Sequence, residues 1–218
     1  MLPIRDHTPS TRWPIVTVSL IALNAIAFYL EWTSPDLEAF VYRWALVPSV
    51  LDPVTFITSQ FLHGGFAHIG FNMWYLWIFG DNVEGHFGHG KFLLFYLASG
   101  IMAALTQVFF SLGSDVPMLG ASGAVAGVLG AYWALFPRHE VDALLPTPVG
   151  FFYRRLPASI VLVFWFVGQL LSGVASLGVP ADEGGVAFWA HIGGFVFGWI
   201  MGKVTVPRRP VPENFSSL

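Results

Sequence analysis

Six separate stretches of this chain are apolar for long enough to cross a lipid bilayer. They cover residues 14–32, 67–83, 91–112, 120–136, 158–177 and 186–206. A spanning helix needs about 20 mostly apolar residues, because the hydrocarbon core is about 30 Å thick and each helical residue rises about 1.5 Å. A soluble domain of 218 residues could bury part of that surface, but not six long uncharged runs in succession. Only 11% of the residues are charged, 55% are hydrophobic, and the mean hydropathy is +0.65. An ordinary soluble domain carries about 25% charged residues. Pro137, Pro157 and Pro180 fall between the stretches, where helices are expected to stop or start. The second stretch is short and punctuated by glycine. The expected fold class is an all-α membrane protein, a bundle of six transmembrane helices.

Three segments follow from this reading: a polar N-terminal segment over 1–13, the helical domain over 14–206, and a Pro-rich polar tail over 207–218 expected to be disordered. The first apolar stretch is longer than a signal-peptide core and lacks a clear small-residue cleavage site, so it is expected to be retained. The long connection over 34–66 carries Phe40, Tyr42, Trp44 and Phe56, which predicts amphipathic pieces lying at the membrane interface. With the N-terminus inside, the inner segments hold Arg5, Arg12, Lys91, Arg138, Arg154, Arg155, Lys203, Arg208 and Arg209, and the outer ones only Arg43. Lys and Arg accumulate on the cytoplasmic side, so both termini are expected there. The net charge of −3 and the lack of a basic patch argue against a nucleic-acid partner. The chain has no cysteine, which excludes disulfides, thiolate metal sites and a cysteine nucleophile.

Polar side chains inside a membrane are costly and often functional. Four stand out: His68 and Asn72 in the second stretch, Ser122 in the fourth, and His191 in the sixth. All three stretches run from outside to inside in this topology, and all four residues lie near their beginnings, at one depth near the outer face. His68 and Asn72 share a helix face through their i, i+4 spacing. Gly194, Gly198 and Gly202 repeat at every fourth position below His191, as do Gly123, Gly127 and Ala131 below Ser122. Small residues at this spacing let membrane helices approach closely. The fourth and sixth helices are therefore expected to pack tightly and to bring Ser122 within hydrogen-bond range of His191. Ser122 sits in Gly120-Ala121-Ser122-Gly123 where a loop enters a helix, so its backbone N–H has no acceptor within the helix. A nucleophile beside a base, with donors for a developing oxyanion, is the arrangement covalent acyl transfer requires. No Asp or Glu lies at that depth, since Asp81 and Glu84 are far along the second helix. The expectation is a Ser–His dyad rather than a triad.

Taken singly these residues have plainer explanations. A serine between glycines commonly serves packing, and a histidine in a span commonly pairs helices. His63 and His68 with a third histidine would make a metal site, but no H-E-x-x-H motif accompanies them and no carboxylate lies at their depth. Gly80-Asp81 hints at an intramembrane aspartyl protease without a partner Asp in another stretch. A non-catalytic binder of client helices would not need Ser122 and His191 together. A transporter would carry polar residues through the whole depth.

The combination resembles the rhomboid family of intramembrane serine proteases. The matching pieces are His63-Gly-Gly-Phe-Ala-His68-Ile-Gly-Phe-Asn72, Gly120-Ala-Ser122-Gly123, and Ala190-His191-Ile-Gly-Gly194-Phe-Val-Phe-Gly198, in order and with a six-helix layout covering about 14–206. The resemblance implies a rhomboid-like bundle with Ser122 as nucleophile and His191 as general base. It implies His68, Asn72 and the Ser122 N–H as oxyanion donors, and a structural Glu84. It further implies single-pass membrane proteins as substrates, cleaved in or near their transmembrane segments, with no metal and no cofactor. The lipid bilayer is the other implied partner, and oligomeric state is not readable. The lack of a soluble domain or targeting peptide points to a prokaryotic plasma membrane. One departure is local: many members carry a Trp-Arg pair in the first outer loop, where this chain has Tyr42-Arg43-Trp44.

Overall fold

The computed structural model describes residues 1–148, 150–177 and 187–205. The expected tail over 207–218, the connection over 178–186, Arg208 and Arg209 lie outside the described residues. The protein is mostly helical. Long helices run over Ile15–Trp32 (α1), Phe66–Phe87 (α4), His89–Phe110 (α5), Ser122–Leu135 (α6), Ala158–Ser176 (α7) and Phe188–Thr205 (α8). Each coincides with one of the apolar stretches. Between α1 and α4 lie two short helices, Leu37–Trp44 (α2) and Thr55–Thr58 (α3), and a 3-10 turn, Ser59–Phe61. By length and apolarity alone, α1, α5 and α7 could cross a membrane. At 14 residues α6 is shorter, and glycines and polar site residues lower the hydropathy of α4 and α8.

Helix α4 runs past the expected end at 83 to Phe87, and the added turn carries Glu84, which ties it to α1 and α5. Glu84 is fully buried and its carboxylate accepts bonds from Val16 N–H at 2.9 Å, Thr17 N–H at 2.7 Å and Thr17 Oγ–H at 2.7 Å. The first turn of α1 follows Pro14 and has no side-chain cap of its own, so Glu84 satisfies donors that any helix start leaves unpaired. The start of α5 is tied to the same carboxylate through His89 Nδ1 at 2.5 Å.

The centre of the bundle is the α6–α8 pair. The two helices run parallel, with Gly194 against the Gly123 carbonyl, Gly198 against the Gly127 carbonyl, and Gly202 against Ala131. On its other faces α6 packs Gly123 against Ala103 and Gly127 against Ser99 of α5. Phe79 of α4 meets Tyr132 of α6 edge-on at 4.9 Å between centroids. Nearly every side chain of α6 is buried, so it is the core helix around which the others are arranged.

The fold is not purely α-helical, contrary to the expectation. Leu2–Asp6 (β1), Glu140–Thr147 (β2) and Gly150–Pro157 (β3) form an antiparallel sheet in the order β1-β2-β3. The segment expected to be a polar lead-in therefore pairs with the connection between α6 and α7, with Leu2 opposite Leu144 and Asp6 opposite Val141. It is also fastened to the helices. Trp74 Nε1–H donates to the Pro3 carbonyl at 2.8 Å, Asn82 Nδ2–H to Asp6 at 2.9 Å, and Tyr132 Oη–H to Asp6 at 2.9 Å.

The connection from α1 to α4 contains the amphipathic helix expected of it. Asp36 caps α2 by accepting the Ala39 N–H at 2.9 Å, and Leu37, Tyr42 and Trp44 are exposed. Arg43 ties this loop to itself: its guanidinium lies 3.6 Å from the Asp52 carboxylate and 5.0 Å from the Trp44 ring centroid. Local contacts thus hold the loop without a Trp-Arg dipeptide.

Candidate active site

Three parallel helices, α4, α6 and α8, begin at the same end of the bundle, and the polar residues singled out in the sequence stand in their first turns. The segment leading into α6 is pinned before the helix starts. Leu46 and Met118 exchange backbone hydrogen bonds at 3.0 and 2.8 Å, and the Gly120 N–H donates to the Ser59 carbonyl at 2.9 Å. Gly120 has φ of +130°, a region that L side chains rarely adopt. Ser122 follows as the first residue of α6, so its N–H has no intrahelical acceptor.

The glycine contacts between α6 and α8 set the distance across the site. His191 Nε2 lies 2.8 Å from Ser122 Oγ. The start of α8 is held by α5, where Gln107 accepts the Ala190 N–H at 3.2 Å and Phe110 stacks on Trp189 at 3.8 Å. His191 is buried, with 9% of its surface exposed.

His68 and Asn72 approach from α4. His68 Nδ1 accepts the Gly64 N–H at 3.3 Å. A ring nitrogen that accepts carries no proton, so the proton of the neutral ring sits on Nε2. That nitrogen faces Gly120, beside Ser122. Asn72 is buried and its amide nitrogen has no hydrogen-bond partner among the described residues. A buried donor without an acceptor costs about 1–3 kcal/mol, so Asn72 holds unused hydrogen-bonding capacity. His63 stands behind His68, edge-on at 5.1 Å. Burial and the neighbouring His68 push its pKa down to about 4, so it is neutral at ordinary pH. The Glu31 carboxylate accepts the His63 N–H at 2.9 Å and fixes the entry to α4.

One site residue escapes the sequence reading. Gln169 of α7 reaches the other nitrogen of His191, with Oε1 2.7 Å from Nδ1. Trp165, one turn earlier, lies 5.8 Å from the imidazole between centroids. The available signal was an amide inside the apolar run Val161–Leu171. Asp81 and Glu84 remain at the far end of α4, bonded to Ser10 and to the start of α1.

The fold and this geometry define an integral membrane protein with a serine–histidine pair at the joint of two tightly packed helices. Comparison with known proteins agrees: residues 51–208 match the model of the Rhomboid domain, and the chain belongs to the rhomboid family. It is 29% identical to rhomboid protein 1, mitochondrial, of Saccharomyces cerevisiae over 94% of this chain and 60% of that protein. It is 31% identical to rhomboid protease GluP of Bacillus subtilis over 85% of this chain and 34% of that protein. Rhomboid-type serine protease 2 of Emericella nidulans is 33% identical over 71% of this chain and 27% of that protein. The chain spans between about a quarter and three-fifths of the length of these curated relatives.

Proposed function

We propose that this chain is an intramembrane serine endopeptidase in which Ser122 is the nucleophile and His191 the general base. The observation that carries this reading is the 2.8 Å approach of Ser122 Oγ to His191 Nε2. The Asn72 amide, without a partner among the described residues, and the Nε2 donor of His68 support it, as do relatives named as a rhomboid protease and a rhomboid-type serine protease.

The chemistry follows from these groups. His191 Nε2 takes the Ser122 hydroxyl proton as Oγ attacks the scissile carbonyl carbon. The carbonyl oxygen becomes an oxyanion and accepts hydrogen bonds from His68 Nε2–H, Asn72 Nδ2–H and the Ser122 N–H. Loss of one such donor costs about 10²–10³ in rate. The imidazolium then protonates the leaving amine nitrogen as the C–N bond breaks, giving an acyl-enzyme on Ser122. Water attacks the ester with His191 again accepting the proton, which releases the acid and restores Ser122.

The substrates in this proposal are single-pass membrane proteins whose helix unwinds locally, since a helical peptide bond is shielded by its own backbone. All six long helices span the bilayer, both termini face the cytoplasm and the site opens near the outer face of a prokaryotic plasma membrane. Residues 14–206 form the protease domain, and 1–13 and 207–218 are its cytoplasmic ends.

The test is covalent labelling by a fluorophosphonate probe in detergent and in liposomes. Wild-type protein labels, and Ser122→Ala and His191→Ala do not. A folded wild type that resists the probe and leaves single-pass model substrates intact overturns the reading. Single engineered cysteines, in a chain that has none, report the orientation: reagents confined to the outside should miss positions near Arg12 and Lys203.

A further inference from the structure

A histidine acts as base through one ring nitrogen only when the other carries the proton. At His191 this constraint has a visible partner. Nε2 faces Ser122 at 2.8 Å and Nδ1 faces Gln169 Oε1 at 2.7 Å. If Nε2 is to accept the serine proton, Nδ1 must hold the N–H, and the atom beside it must be an acceptor. The amide oxygen of Gln169 meets that requirement. With the amide reversed, its NH2 would donate to Nδ1, the ring proton would move to Nε2, and the pair would lose its base.

The setting of Gln169 argues against an incidental contact. It comes from α7, which presents Phe164, Val167, Leu170, Leu171 and Val174 outward. Phe166 stacks on Phe195 of α8 at 4.6 Å, and Trp165 lies beside the His191 ring, tilted 37° to it. Gln169 and Trp165 are one turn apart on a single face, so one helix supplies both the hydrogen-bond acceptor and the wall for the imidazole. Among the described residues, this is the one side-chain hydrogen bond from α7 to another helix.

Building on the protease reading, we propose that Gln169 is the positioning residue of the His191 base. Its amide oxygen accepts the Nδ1–H and holds the ring in the tautomer and orientation that leave Nε2 free for Ser122. The dyad is thereby completed by a neutral third group from α7, where an Asp would stand in a charged triad. At metal sites an orienting partner of a histidine is worth about 10- to 100-fold in affinity or activity, and in a serine triad a wrong tautomer costs about 10⁴ in rate.

Three variants separate positioning from packing. Gln169→Leu keeps the volume and removes the acceptor; Gln169→Glu keeps an acceptor; Gln169→Lys offers only donors. Positioning predicts that Gln169→Leu and Gln169→Lys label with a fluorophosphonate roughly 10- to 100-fold more slowly, through kinact with KI unchanged. Gln169→Glu should recover most of the rate. A packing role predicts the reverse order, with Leu tolerated and Glu harmful, and that result overturns the proposal. Nitrogen-15 NMR of labelled histidine, assigned by difference against His191→Ala, reads the tautomer without any activity. Protonated Nδ1 in the wild type and a mixture in Gln169→Leu are expected. Wild-type His191 protonated at Nε2 overturns the proposal, whatever the labelling result. A wild type that never labels defeats the protease reading instead, and the two failures are thus distinct.

Discussion

The imidazole of His68 occupies the space that a side chain on Gly120 would need. A Cβ at position 120 would lie 2.8 Å from His68 Nε2 and 3.6 Å from Ser122 Oγ. The same residue has φ of +130° and is anchored by its N–H to Ser59. The glycine two residues before the serine is therefore what lets the α4 histidine stand over the start of α6.

Gly120→Ala tests this. The left-handed backbone costs about 1–3 kcal/mol for a residue with a Cβ, and the methyl group displaces His68. Fluorophosphonate labelling should fall by about 10² or more, in keeping with a lost oxyanion donor, while the protein still folds. Labelling within threefold of wild type would contradict the role given to His68.

A second prediction concerns the glycines that bring Ser122 to His191. A Cβ on Gly198 would collide with the Gly127 carbonyl, a backbone atom that cannot move aside. Gly198→Ala should cost about 1–3 kcal/mol, as overpacking does, and Gly198→Val more. Because the helices separate along their length, labelling of Ser122 should drop in parallel. Gly168→Ala is the control: among the described residues, nothing lies within 4 Å of where its Cβ would stand. Unfolding in mixed micelles ranks the three.

A third concerns Glu84. Its carboxylate closes the first turn of α1 from a neighbouring helix, through Val16 and Thr17. Glu84→Ala leaves buried donors unpaired, at about 1–3 kcal/mol for the loss. Glu84→Gln should cost less, because one acceptor oxygen remains. Both should leave the labelling rate of folded protein near that of wild type, since the site lies at the other end of α4. A selective loss of labelling at unchanged stability would argue against a structural Glu84.

The sequence makes Ser122, His191, His68 and Asn72 conspicuous because a bilayer penalises polar groups that do nothing. The glycine repeats below Ser122 and His191 are legible for a related reason: only small residues permit the backbone contacts seen between Gly127 and Gly198. Gln169 is harder to read. A single amide in an apolar run looks like ordinary helix pairing until its distance to His191 is known. The sheet is harder still. Pro3, Pro146 and Pro157 fall within the strands that form it, and proline normally speaks against a strand. Its pairing also joins residues 2–6 to 141–144 across most of the chain, a relationship that no local periodicity encodes.

The last prediction concerns that sheet. The Asp142 side chain is 1% exposed and lies 3.1 Å from Arg5 Nη2, 2.9 Å from His7 Nε2 and 3.2 Å from Arg155 Nε. Burial alone would raise its pKa, but bonds from Tyr153, His7, Arg155 and Arg5 outweigh burial and hold it well below the usual carboxylate range. A carboxylate depressed on folding stabilises fully above its unfolded pKa, near 3.9, and the contribution fades as pH falls toward the lower folded value. Hydrogen exchange of the β1 amides should therefore be slow and insensitive to this group from about pH 5 upward, after correction for intrinsic rates. Protection should decline progressively below about pH 4. Asp142→Asn removes the charge that gathers Arg5, His7 and Arg155, so β1 should lose protection already at neutral pH while the α6–α8 amides keep theirs. If β1 in Asp142→Asn stays as protected as in the wild type, strand pairing and the Trp74, Asn82 and Tyr132 bonds hold the N-terminal segment without the ion pairs.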